Sequence, residues 1–179
     1  MPTLNERMVW GMGDGSDLDA HDTDIGKIGG LMCFEHQMAL ARYALNGLGV
    51  QIHAASWPGY GFITPIIDAC NRQLAFENAC FVVSAREVMT QSAISSSMPL
   101  SRCDPSLYEM TGGSAIIGPD GAYIVAPVFN QETIIYADID LTLIARTKTW
   151  FDATGHYARP DIFQLRWDRR PKPPIDMIT

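Results

Sequence analysis

The sequence has 179 residues and lacks any long apolar run, any excess of positive charge and any close pair of cysteines. Its longest apolar stretches, 63–69 and 79–85, are far shorter than the roughly 20 residues that a membrane-spanning helix needs. Thirteen Lys and Arg against 20 Asp and Glu give a net charge of −7, which argues against general affinity for nucleic acid or anionic membranes. Hydrophobic residues make up 47% of the chain, enough to bury the core of one domain.

Cysteine is scarce, and its four positions are Cys33, Cys70, Cys80 and Cys103. Their spacing fits neither a disulfide framework nor a zinc site, so we expect free thiols, no metal and no other cofactor. The first residues lack a basic region followed by an apolar run, so the sequence predicts no secretory signal and a cytoplasmic location. Cys33 and His36 as metal ligands remain an alternative, which would make activity sensitive to a chelator.

Hydrophobic periodicity predicts an α/β protein with a mixed sheet that carries its helices on one face. The predicted elements are a buried strand 29–33, a helix 37–48, a strand 50–56, a helix 66–78, a strand 80–85, a β-hairpin 113–117 with 122–125, a strand 132–139 and a helix 140–151. Asp120-Gly121 suits the hairpin turn and Asp140 suits a helix N-cap. We expect 10–23 and 87–111 to be loops, and the proline-rich segment from 155 to be irregular.

Cys33 is the most informative residue, because it stands where a predicted strand meets a predicted helix. The amino end of a helix offers unpaired N–H groups and partial positive charge, which lower the pKa of a thiol. The same N–H groups can hold an oxyanion that forms when the thiolate attacks a substrate. The residues alone leave a structural cysteine open as the alternative.

The segment around Cys33 resembles the nucleophile segment of the nitrilases, which usually reads Cys-Trp-Glu after apolar residues. The resemblance extends over nearly the whole chain and in the same order, through Glu6-Arg7, Trp10-Gly11, Gly13-Asp14-Gly15-Ser16-Asp17, Gly29-Gly30-Leu31-Met32-Cys33-Phe34-Glu35-His36, Ala41-Arg42-Tyr43-Ala44-Leu45, Ala54-Ala55-Ser56-Trp57-Pro58-Gly59, Gly113-Ser114-Ala115-Ile116-Ile117-Gly118-Pro119-Asp120-Gly121, Tyr136-Ala137-Asp138-Ile139-Asp140 and Gly155-His156-Tyr157-Ala158-Arg159-Pro160-Asp161.

This resemblance implies an αββα sandwich of mixed sheets flanked by helices, of which the chain holds the C-terminal portion. We expect residues 1–165 to form a carbon-nitrogen hydrolase domain that is incomplete at its N-terminus, and 166–179 to form a tail. The family uses a Glu, a Lys, a second Glu and a Cys. Cys33 matches the nucleophile and Glu6 matches the second glutamate, whereas the positions of the Lys and the first Glu fall before Met1.

The resemblance also suggests roles for the neighbours of the nucleophile. Phe34 replaces the usual Trp, and its backbone N–H is a candidate oxyanion donor. Glu35 and His36 are candidates for holding the nucleophile loop, although Glu35 as an exposed carboxylate is the alternative. Trp57 follows the second predicted strand and is a candidate for the substrate pocket, with simple packing as the alternative.

The implied function is hydrolysis of a small nitrile to a carboxylic acid and ammonia through a Cys33 thioimidate and then a thioester. Without the first Glu and the Lys we expect the short chain to be impaired alone. The alternative is a catalytically silent assembly module derived from a nitrilase. The expected partners are a second copy of the chain, in a dimer or spiral, or an N-terminal half. The residues leave aliphatic, arylacetonitrile and cyanide substrates open.

Overall fold

A computed structural model of the protein describes residues 7–94, 96, 97, 102, 104 and 109–172. Within these residues it contains seven β-strands and three α-helices. In chain order they are β1 (Ala20–Thr23), β2 (Gly26–Met32), α1 (Ala39–Gly47), β3 (Ile52–Trp57), α2 (Thr64–Glu77), β4 (Phe81–Arg86), β5 (Val88–Met89), β6 (Met110–Ile117), β7 (Tyr123–Phe129) and α3 (Thr142–Lys148).

The strands form one mixed sheet around three parallel strands, β2, β3 and β4. β1 pairs antiparallel with β2 at one side, and β6 pairs antiparallel with β4, β5 and β7 at the other. In the parallel register, Met32 lies opposite Ser56, and Trp57 lies opposite Arg86. The carboxyl ends of the three parallel strands therefore meet at one edge of the sheet, directly before Cys33.

The main core cluster lies on one face of this sheet. Along β3, the buried residues His53, Ala55 and Trp57 alternate with the exposed Ala54 and Ser56. The largest core cluster joins this buried side of the sheet to α2, whose contributing residues are Ile67, Cys70, Leu74 and Ala75. α3 packs elsewhere, with Ile144 against Ala79 and Phe81 at the start of β4. The predicted α/β class and mixed sheet are confirmed.

Several local predictions are confirmed as well. The hairpin turn has Gly121 in the left-handed region, at φ 78°, where glycine is favoured. The Asp140 carboxylate accepts the Thr142 backbone N–H at 2.9 Å, but the N-cap residue of α3 is Leu141, so the predicted cap position is wrong by one residue. That helix begins two residues later and ends three residues earlier than predicted. From 155 to 172 the chain forms no helix or strand.

The predicted strand 132–139 is wrong, because residues 131–140 form no ladder with any described strand. The alternating pattern is real, yet a strand also needs a partner edge. Here Ile134 and Tyr136 are exposed, and only the end of the segment, at Ile139, packs on the Phe81 cluster. The predicted loops 10–23 and 87–111 in turn contain short strands, β1 and β5, and the start of β6.

The first predicted strand also differs in burial. β2 is mostly half-exposed rather than buried, and Met32 at its end is exposed. Within the described residues, none of the helices combines the length and the apolar character that crossing a membrane would need.

Candidate active site

Cys33 lies directly after β2, as the first residue of a short 3-10 turn, Cys33–Gln37. The predicted helix begins later than expected, at Ala39, because Met38 is extended and interrupts the helical backbone. Cys33 is therefore not at the amino end of an α-helix. The helix-dipole contribution predicted for its thiol is correspondingly smaller, since that effect falls off within the first turn.

The backbone of Cys33 is in the left-handed region, at φ 51°. Such a conformation costs a non-glycine residue about 1–2 kcal/mol, and it persists only where the surroundings impose it. Strained residues of this kind concentrate at active sites. Cys33 is half-buried and packs against the main core cluster, so the sharp turn holds a thiol at the carboxyl edge of the sheet.

Glu35 ties the turn back to the end of β2. Its carboxylate accepts the Met32 backbone N–H at 2.9 Å, across the residue that carries the thiol. Phe34, between the two, is 49% exposed. Glu35 thus joins the turn to the end of β2, and its role in holding a nucleophile loop stays a prediction.

His36 is buried beneath the turn and bonded at both ring nitrogens. Its Nδ1 lies 2.7 Å from the Cys33 carbonyl oxygen, and its Nε2 lies 3.1 Å from Nε2 of His53. Burial lowers the pKa of His36 to about 4, and burial together with the nearby His36 lowers the pKa of His53 to about 3. Both rings are therefore neutral at pH 7.

Trp57 is buried, and its ring stacks on His36 with 4.6 Å between centroids. The Phe34 and Trp57 rings are nearly perpendicular, with 6.1 Å between their centroids. The Trp57 indole N–H donates to Oδ1 of Asn71 at 3.0 Å, and the Asn71 amide donates to Ser84 Oγ at 3.0 Å. Trp57 therefore supports the turn from below, and its contribution to a substrate pocket stays a prediction.

Not every candidate lies within the described residues. Glu6 and Cys103 are outside them. Cys70 and Cys80 are buried, and burial raises the pKa of both thiols, that of Cys80 to about 12. In the part of the chain that the structure describes, no three His, Cys, Asp or Glu side chains are grouped to hold a metal ion.

Sequence reasoning missed two members of this cluster, His53 and Asn71. A signal for His53 was available, because it occupies an inward position of an alternating strand, where a histidine must find a partner. Asn71 occupies the buried stripe of α2. A polar residue on such a stripe indicates a buried hydrogen bond in the same way.

The carbon-nitrogen hydrolase family model matches residues 1–149. The chain belongs to the carbon-nitrogen hydrolase family. Among curated relatives, it is 37% identical to nitrilase blr3397 of Bradyrhizobium diazoefficiens over all of this chain and 55% of that protein. It is 39% identical to the aliphatic nitrilase of Sinorhizobium fredii, over 96% of this chain and 55% of the relative.

The fold agrees with this membership. The crystal structure of a carbon-nitrogen hydrolase from Helicobacter pylori G27 superposes with a TM-score of 0.74 at 18% identity, over 88% of this chain and 54% of that one. The chain spans about half the length of the curated relatives it matches. The mixed sheet and helices of this chain therefore correspond to about half of that carbon-nitrogen hydrolase structure.

Proposed function

We propose that this chain supplies the nucleophile of a nitrilase, with Cys33 attacking the carbon of a small nitrile. The observation that carries the proposal is the strained turn. It places a half-buried thiol at the carboxyl edge of the parallel strands, at the cysteine of the motif that resembles the nitrilase nucleophile segment. The nitrilase relatives favour this enzyme over a silent assembly module derived from one.

The reaction proceeds in two covalent stages. The Cys33 sulfur bonds to the nitrile carbon as one C–N π bond breaks, and the nitrogen takes up a proton to give a thioimidate. Water adds to the same carbon as the second C–N π bond breaks and the nitrogen takes up a proton. The C–N σ bond then breaks, the nitrogen leaves with a further proton as ammonia, and the hydroxyl loses its proton to become the thioester carbonyl. A second water adds to that carbonyl and breaks the C–S bond, which releases the acid. The thiol recovers its proton in that last step.

The Phe34 backbone N–H is the proposed donor to the charge that develops on the substrate nitrogen or oxygen. Loss of one such donor typically slows a reaction by about 10²–10³. Glu6 is the proposed second glutamate. The resemblance also implies a general base and a lysine, which the reaction needs in addition to Cys33 and Glu6.

The test measures ammonia released from aliphatic nitriles, arylacetonitriles and cyanide. The chain is assayed alone and together with the N-terminal half of the Bradyrhizobium diazoefficiens nitrilase. We expect release with the two halves together, and we expect Cys33→Ala to abolish it, whereas Cys70→Ala, a change at a buried thiol with a raised pKa, retains it.

Equal release by the Cys33→Ala variant would contradict the proposal. No release from any assembled pair would favour the silent module. Chelator-sensitive release would favour the metal alternative.

Self-association belongs to the same proposal. Large apolar side chains are exposed on α1 and on the C-terminal segment, among them Leu40 at 68% and Phe163 at 77%. They line a groove of about 800 Å³ between these two parts of the chain. Exposed apolar surface of this kind is typical of an interface between subunits.

A further inference from the structure

We infer that His36 and His53 form a positioning pair, which orients the Cys33–Phe34 peptide so that the Phe34 N–H is held as a donor to the reacting group. The inference rests on the proposed function and extends it to two residues that touch no substrate. Its basis is a continuous hydrogen-bonded path, from a strand in the core to the backbone of the nucleophile.

The direction of this path follows from the chemistry of its ends. The Cys33 carbonyl oxygen only accepts, so the His36 Nδ1 that faces it at 2.7 Å carries the proton. A neutral imidazole has one N–H, so the Nε2 of His36 is then an acceptor. The Nε2 of His53, 3.1 Å away, must donate to it. His36 is thereby fixed in the tautomer protonated at Nδ1, and His53 in the tautomer protonated at Nε2.

The far end of the path is consistent with this assignment. Nδ1 of His53 is buried and has no hydrogen-bond partner among the described residues. In the assigned tautomer this nitrogen carries no proton, so the unpaired group is a lone pair. The opposite tautomer would bury an unpaired N–H, which is rarer and more costly.

The near end of the path acts on the peptide group. The peptide between Cys33 and Phe34 is planar and trans, so its N–H points away from its carbonyl oxygen. When His36 holds the carbonyl on the buried side, the Phe34 N–H points to the opposite side. A hydrogen bond to the carbonyl also polarises the peptide, which strengthens the donor at its other end.

Both rings are held tightly enough to serve this purpose. His36 and His53 are both 0% exposed, and Trp57 stacks on the His36 ring. His53 is fixed by its strand, opposite Gly29 of β2. The Arg42 guanidinium donates to the His36 carbonyl oxygen at 2.8 Å, which adds a further hydrogen bond to the turn.

The plain alternative is that two buried histidines merely fill space. Amide substitutions separate the two roles, since the Asn amide nitrogen reaches about where imidazole Nδ1 lies, and the Gln amide nitrogen reaches about where Nε2 lies. At position 36 the positioning role needs a donor where Nδ1 lies, so we expect His36→Asn to keep aldehyde binding and His36→Gln to weaken it. At position 53 the role needs a donor where Nε2 lies, so we expect His53→Gln to keep aldehyde binding and His53→Asn to weaken it.

The experiment compares the binding of an aldehyde to Cys33 with the rate at which iodoacetamide alkylates Cys33. A short aldehyde such as butyraldehyde forms an adduct whose oxyanion needs the Phe34 N–H, whereas alkylation by iodoacetamide builds no such charge. We expect His36→Gln and His53→Asn to weaken aldehyde binding about tenfold or more, with alkylation rates within about twofold of the wild type. We expect His36→Asn and His53→Gln to stay close to the wild type in both measurements.

The tautomers provide a second measurement that needs no variant to fold. Nitrogen-15 spectra of the histidine rings should show His36 protonated at Nδ1 and His53 protonated at Nε2. A proton at Nε2 of His36, or equal losses in the Asn and Gln variants of each site, would overturn the inference. If the variants follow the expected pattern but no nitrile is hydrolysed, only the proposed function is wrong.

Discussion

At the scale of single residues, the buried histidine pair makes stability depend on pH. Burial is the main cause that lowers the pKa of His36 to about 4, below its ordinary value of 6.5, and the Arg42 charge adds to it. The unfolded chain therefore binds a proton near pH 6.5 that the folded chain does not bind. Stability from this source is fully present above pH 6.5 and is lost as the pH falls towards 4.

We expect the contribution of His36 to the free energy of unfolding to fall by on the order of 3 kcal/mol between pH 7 and pH 4, since one pKa unit corresponds to about 1.4 kcal/mol. His53, whose pKa is lowered to about 3, adds a loss of similar size. Denaturant titrations at several pH values measure this loss. The control is His36→Asn, which removes one titrating group and should flatten the decline. If His36→Asn showed the same decline as the wild type, the decline would come from groups other than His36.

The same residues show what the sequence can and cannot reveal. Cys33 is identifiable because its place between strand and turn, and the motif around it, are local. The partnership of His36 with His53 joins residues 17 positions apart, on a turn and a strand. A lone histidine in an alternating strand looks the same whether it packs in a core or supports a site, so only the three-dimensional register separates the two.

At the scale of elements, Gly59 is the point where three segments meet, the turn after β3, the end of β4 and the start of β6. Its carbonyl accepts the Thr111 N–H at 2.9 Å. A Cβ there would overlap the Glu87 carbonyl oxygen and come within 2.8 Å of Met110 Cβ. Neither neighbour is a flexible side-chain end, so one of these segments would have to move.

We expect Gly59→Ala to lower the free energy of unfolding by more than about 2 kcal/mol, as overpacking at a rigid site does. The matched control is Gly47→Ala at the end of α1, where a Cβ meets nothing within 4 Å. There alanine should be neutral or stabilise by up to about 1 kcal/mol. Thermal unfolding of both variants tests the contrast, and an equal effect at the two sites would refute it.

Elements whose signals are local are predictable, as α2, β3, β4 and the hairpin show. Pro65 marks the first turn of α2, and Gly121 supplies the positive φ of the hairpin. The failure at 132–139 has a different origin. Its pattern specifies a half-buried extended segment, but pairing depends on which sheet edges are available, and no local signal encodes that.

At the scale of the whole molecule, the sheet has one open face. Ala54 and Ser56 of β3 and Val83 and Ala85 of β4 are exposed on it, next to Gly30 of β2. These small side chains form a flat surface, which a second sheet can approach at the usual spacing of about 10 Å. Since the nitrilase resemblance implies two sheets, we expect the N-terminal half of a nitrilase relative to pack on this face, next to Cys33.

Val83 provides the test, because it lies on this face and is 39% exposed in the chain alone. Val83→Lys should change the stability of the chain by less than about 1 kcal/mol, as surface substitutions do. On assembly it would bury an unpaired charge between two sheets, which costs several kcal/mol. We therefore expect the variant to fail to co-elute with the N-terminal half of the Bradyrhizobium nitrilase, whereas Val83→Thr, with nearly the same shape, still assembles. Normal assembly of Val83→Lys would show that the second sheet does not cover this face.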